Sequence, residues 1–124
     1  MGMIDDIVAL LRLFGPLVPD AETNAWVTEL AADRSRWPDA HEMFSRVRER
    51  TLAAISNKDR GRQAQYGFEE ICLKSIYNET ATNAPFDSDS PHWISKCAIG
   101  LARVLGLPEQ SVIDIIAPRH RPTK

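Results

Sequence analysis

No apolar run in this 124-residue chain approaches the roughly 18 residues a bilayer-crossing helix requires, so no membrane span is predicted. Cysteine is scarce, with Cys72 and Cys97 alone and no CxxC pair, which argues against a disulfide framework, a zinc ribbon or a dithiol redox site. Both thiols are expected to be small buried hydrophobes. A basic excess is also missing: 15 Lys and Arg stand against 17 Asp and Glu, so the molecule as a whole is not tuned for nucleic acid. The first residues, MGMIDDIVAL, lack the basic segment and small-residue cleavage site of a secretory signal, and the cytoplasm is the expected compartment. Neither GxSxG nor GxxxxGKS occurs, so two common nucleophile and phosphate motifs are absent.

What is present is a globular composition. Hydrophobic residues make up 44% and charged residues 26%, enough for one domain with one core and no metal or cofactor to hold it together. Apolar spacing of three and four predicts helices throughout, and no segment alternates as a strand does. The fold class expected is all-α: a compact bundle of five to six helices over residues 3–117, followed by a flexible tail, 118–124.

The first helix is predicted from Met3 to Phe14, stopped by Gly15-Pro16, and Asp20 caps a second with Trp26, Val27 and Leu30 facing inward. Pro38 suits the first turn of a third helix, which would bury Met43, Phe44, Val47, Thr51, Ala54 and Ile55. A turn at NKDRG leads to a fourth helix, about Arg62 to Glu79. A fifth, from Ser90-Pro91 to Leu105, carries a wide apolar arc that includes Trp93 and Val104. A short sixth starts at Pro108 and is ended by Pro118.

The fourth helix is the most informative. Phe68, Ile71, Cys72, Ser75 and Ile76 form one arc, while Tyr66, Leu73 and Tyr77 lie opposite, beside Glu69 and Glu70. Two apolar faces mean either a central helix contacted on both sides or a partner-binding face of aromatics next to carboxylates. Charge is segregated too. A basic block, Arg46 to Arg62, precedes an acidic one, Glu69 to Asp89, and these can pair internally or meet other molecules.

Spacing tests remove most chemistry. His41-Glu42 begins an HExxH zinc pattern, but Ser45 stands where the second histidine belongs. Asp87-Ser88-Asp89 opens like a calcium loop, yet His92 and Ala98 occupy the glycine and glutamate positions, and Pro91 replaces an oxygen ligand. Arg36 and His41 have the RxxxxH spacing of helical HEPN ribonucleases, interrupted here by Trp37-Pro38.

Phe68-Glu69-Glu70-Ile71-Cys72, Tyr77-Asn78, Pro85-Phe86-Asp87 and Asp89-Ser90-Pro91 together resemble the small immunity proteins of bacterial polymorphic toxin and contact-dependent growth inhibition systems. The resemblance covers roughly the C-terminal half. It implies a non-enzymatic protein that binds one cognate toxin domain in the cytoplasm, with no cofactor, no metal and no nucleic-acid or membrane partner. The residues expected at the interface are Glu69, Glu70, Tyr77, Glu79, Phe86, Asp87 and Asp89. Two other readings stay open: an RNA-cleaving enzyme using Arg36 and His41, and a regulatory domain self-associating through Tyr66, Leu73 and Tyr77. The oligomeric state is left open.

Overall fold

The computed structural model describes residues 3–80 and 90–120, and these form six α-helices with no strand among them. They are α1 (Met3–Phe14), α2 (Ala21–Ala32), α3 (Ala40–Ser56), α4 (Arg60–Thr80), α5 (Ser90–Leu105) and α6 (Glu109–His120), with a 3-10 helix at Arg34–Asp39 before α3. The expected all-α bundle is what forms.

The helices stack in two layers. One holds α3, α4 and α5, with α4 in the middle; the α3 and α5 backbones do not approach each other. The other holds α2, α1 and α6, with α1 packed on both its neighbours. The core lies between them. Ile7, Leu10, Leu11 and Phe14 of α1 are fully buried, and the Phe14 ring meets Phe68 of α4 edge-on at 5.2 Å. The central position explains the two apolar arcs of α4: Phe68, Cys72 and Ile76 are buried, and so are Tyr66 and Leu73. The self-associating face is thereby corrected, since only Tyr77 of its three residues reaches the surface.

Local chemistry sets the corners. At the end of α1, Asn24 donates to the Leu11 carbonyl at 3.1 Å, and a Cβ on Gly15 would sit 3.1 Å from the Asn24 side chain. Between α3 and α4 the left-handed residue is Lys58 at φ 56°, while Gly61 of the predicted turn lies inside α4. Asp59 accepts from the Arg62 N–H at 3.0 Å and so caps α4. Gly106, at φ 79°, closes α5, and the Leu107 N–H reaches back to the Ala102 carbonyl.

Three boundaries and three inward-facing assignments need correction. Pro38 lies in the 3-10 helix rather than opening α3, and α4 starts two residues earlier than its apolar pattern. The end of α6 is His120, beyond Pro118; a proline lacks its own N–H, but the residues after it can still donate backwards. The helical domain therefore passes residue 117, and 121–124 fall outside the described residues. Ile55, Trp93 and Val104 are exposed, not buried. They sit on α3 and α5, the outer helices of their layer, where the apolar arc is wider than the side a neighbour covers.

Gly67 and Gly100 lie within α4 and α5, and a Cβ at either would meet nothing within 4 Å. Gly67→Ala and Gly100→Ala should each stabilise the protein by ~0.5–1 kcal/mol through helix propensity alone. A rise in the urea midpoint at constant slope would show it.

Candidate functional site

The most developed polar structure is a junction that ties α2 and α3 to α4. Asp20, the N-cap of α2, accepts from the Glu22 and Thr23 backbone N–H groups at 3.1 and 3.2 Å. Its other oxygen accepts from Tyr66 of α4 at 2.6 Å and from Arg50 of α3 at 2.8 Å. Arg50 also reaches Glu22 at 3.0 Å and lies over the Trp26 ring at 4.6 Å, a cation–π contact. Gln65 completes the junction: its Oε1 accepts from the Asp20 N–H at 3.0 Å, and its Nε2 donates to the Asp20 carbonyl at 2.6 Å. One side-chain amide thus satisfies both backbone groups of a single residue.

Electrostatics follow from this packing. Burial pushes the Asp20 carboxyl up, but hydrogen bonds from Tyr66, Arg50 and the Thr23 backbone, with the Arg50 charge, outweigh it and hold the group below its ordinary value. Burial, together with the bond to Asp20, raises the Tyr66 phenol to about 12. Glu69 is 0% exposed, and burial raises its carboxyl to about 8 against the lowering hydrogen bonds from Gln65 and Thr23. Its Oε2 accepts from Gln65 Nε2 at 2.9 Å, while Oε1 has no hydrogen-bonding partner among the described residues. Neutral Glu69 is the form this site accommodates near pH 7.

This location corrects two of the expected interface carboxylates. Glu69 is sealed inside the junction. Glu70 is 8% exposed and serves α3, accepting from Arg48 at 3.2 Å and from the Thr51 hydroxyl. Each has α3 or α2 packed over it because α4 is central, so neither is presented to a partner. The basic and acidic blocks do pair internally at Arg48–Glu70, whereas Arg50 turns to Asp20, and Arg46 and Arg62 stay within their own segments.

Tyr77 and Glu79 remain accessible near the end of α4. Tyr77 is half-buried and stacks obliquely on His41 at 5.5 Å, next to Phe44, over which Lys74 lies at 5.4 Å. Glu79 is exposed. Phe86, Asp87 and Asp89 lie outside the described residues. Sequence reasoning missed Trp93 as a surface residue: it is 43% exposed, with Lys96 over its ring at 5.1 Å and His92 edge-on at 5.8 Å. Lys96 and His92 on its wet side were the available signal.

Arg36 and His41 fall on different elements. Arg36, in the 3-10 helix, pairs with Glu29 at 3.6 Å, and His41, in the first turn of α3, is engaged with Tyr77. Both cysteines are free thiols; burial raises them above the ordinary range, and Cys97 lies close enough for its charge to act on Cys72. Among the described residues no three His, Cys, Asp or Glu side chains converge as metal ligands, and no helix is long and apolar enough to cross a membrane. No family model matches the chain, and no curated protein or solved structure matches it.

The Glu69 carboxyl gives stability a pH dependence of known sign. Its folded pKa lies above its ordinary value of 4.5, at about 8, so the folded state holds a proton that the unfolded chain releases between them. Stability from this group is full below about pH 4.5, falls as pH rises, and is lost above about 8. Glu69→Gln should remove that slope and stabilise the protein at pH 9 by an amount on the order of 5 kcal/mol. Urea titrations of both proteins at pH 5 and pH 9 measure it; parallel pH profiles would mean that Glu69 ionises freely in place.

A second outcome concerns Gln65. Gln65→Leu conserves approximate volume but strands the Asp20 N–H and takes away the amide's bonds to the Asp20 carbonyl and Glu69 Oε2, and should cost ~2–4 kcal/mol in the same assay.

Proposed function

We propose that the chain is a non-enzymatic immunity protein that neutralises a cognate bacterial toxin domain by direct binding in the cytoplasm. The observation that carries this reading is Trp93, a large aromatic side chain with 43% of its surface open near the start of α5. Tryptophan is the residue type most enriched among binding hot spots. Here the Lys96 ammonium and the His92 ring already flank it, so less side-chain freedom is lost when a partner covers it.

Its position links it to the interface residues that the family resemblance implies. Trp93 follows Phe86, Asp87 and Asp89 by a few residues, so an anchor and an acidic segment adjoin in the chain. Tyr77 and Glu79, near the end of α4 that leads into the same segment, are accessible and complete the candidate surface. The two carboxylates taken up by the fold, Glu69 and Glu70, are not part of it. Binding of this kind uses shape, aromatic anchors and charge, with carboxylates speeding association with a basic toxin surface more than they set final affinity.

The test starts from the gene directly upstream, which on this reading encodes the toxin domain. The full chain should bind it and protect cells that express it. Trp93→Ala should weaken binding by about 30-fold or more, the size of a hot-spot loss. Asp87→Lys with Asp89→Lys should weaken it as well, without altering the helical circular dichroism. Unchanged affinity in both variants, each still folded, would remove this surface from the interface.

A further inference from the structure

The outer side of the α3–α4–α5 layer, facing away from α1 and α2, carries an unusual share of apolar surface. Among the described residues six large hydrophobic side chains are exposed, and four of them, Leu52, Ile55, Trp93 and Val104, belong to α3 and α5. Helical spacing orders them. Trp93, Cys97, Gly100 and Val104 follow one another by four, three and four residues, a single stripe along α5. On α4, Gly67, Ile71 and Lys74 repeat the same steps, and on α3 Leu52 continues the row of Phe44 and Arg48. Contacts between α3 and α4 fix the register of that row: His41 on Tyr77, Phe44 under Lys74, Arg48 on Glu70. The two open glycines, Gly67 and Gly100, leave the middle of this face low, where another backbone could come close.

Among the described residues, cations predominate on this face, with Glu49, beside Leu52, the exposed carboxylate next to these rows. Arg48, Arg60, Lys74 and Lys96 lie on or beside these rows, and the other carboxylate among them, Glu70, is buried and bonded to Arg48 and Thr51. The chain as a whole is slightly acidic, at −2, so this is a local concentration. A second copy of the same face would bring like charges together, which disfavours self-association through it. An apolar strip with cationic margins is complementary to an amphipathic helix whose flanks are acidic.

We propose that the outer face of the α3–α4–α5 layer is a docking surface for an acidic, apolar-faced helical segment of the partner protein. The inference rests on the reading of this chain as a binding protein and assigns its partner a second contact, which adjoins the one made by the acidic segment before α5 and shares Trp93 with it. The partner helix lies over Gly67 and Gly100, with Trp93 and Val104 on one side and Leu52 on the other, and its carboxylates meet Arg60 and Lys96.

Two synthetic helical peptides test this, sharing one leucine stripe and flanked either by glutamate or by lysine. Each is titrated into the isotope-labelled full chain and followed by amide and indole resonances. The glutamate peptide should bind at least about tenfold more tightly than the lysine peptide, shifting Gly67, Gly100 and the Trp93 indole, even though the chain carries net negative charge. A Cβ at Gly100 meets nothing within 4 Å, so Gly100→Leu projects its side chain into the low centre and should abolish that binding while the protein remains folded. Equal affinity for the two peptides, shifts mapping to another face, or undiminished binding by folded Gly100→Leu would each overturn the proposal. The toxin domain separates the two readings. If it binds the wild-type chain and Gly100→Leu equally, the immunity reading stands and this surface falls. If it binds neither, while the glutamate peptide still selects the face, the surface stands and the immunity reading falls.

Discussion

The structure depends on how Gln65 holds Asp20. The N–H of an N-cap residue has no partner within its helix, and here an amide from α4 accepts from it. That amide also donates to the Asp20 carbonyl, which takes the first helical bond from Asn24 as well. The same Asp20 caps α2 with its carboxylate and collects Tyr66 and Arg50. Three helices thereby converge on a single residue, and their relative positions are set by hydrogen-bond geometry in addition to apolar packing. Apolar contact alone tolerates sliding by a fraction of a turn; a pair of oppositely directed hydrogen bonds does not. Glu69 is carried into the interior by this arrangement, because it lies one turn beyond Gln65 on the same side of α4.

Placing α4 at the centre separates buried polar side chains from exposed apolar ones. Its own polar side chains, Gln65, Glu69, Glu70 and Ser75, are buried, and Gln65 and Glu70 bond to groups outside α4. The helices on either side have fewer neighbours and a surplus of apolar residues. Trp93, Val104, Leu52 and Ile55 are exposed for that reason. Trp93 on α5 and Tyr77 against His41 of α3 are the accessible aromatic side chains on either side of α4.

Much of the fold was legible in the chain. The bounds of α1 follow from its apolar face and Gly15-Pro16, and those of α5 from Ser90-Pro91 and Gly106. The Asp20 cap was readable as well. Part of the candidate site was not. Glu69 and Glu70 beside Tyr66 read as an outer, acidic edge because carboxylates are seldom buried. Only contacts between residues far apart in sequence, Gln65 with Asp20 and Thr51 with Glu70, reverse that reading. Trp93 was misplaced in the opposite direction, since a wide apolar arc on α5 gives no indication of how much of it a neighbour covers.

The sequence by itself determined an all-helical chain, the approximate positions of its helices and the presence of two apolar arcs on α4, because helical periodicity and capping act over a few residues. Tertiary structure alone decided which arcs are covered, which carboxylates are buried and which aromatic side chains face outward. Those outcomes depend on whether a helix has neighbours on one side or on both, and the number of neighbours is a property of the whole fold that no local spacing records.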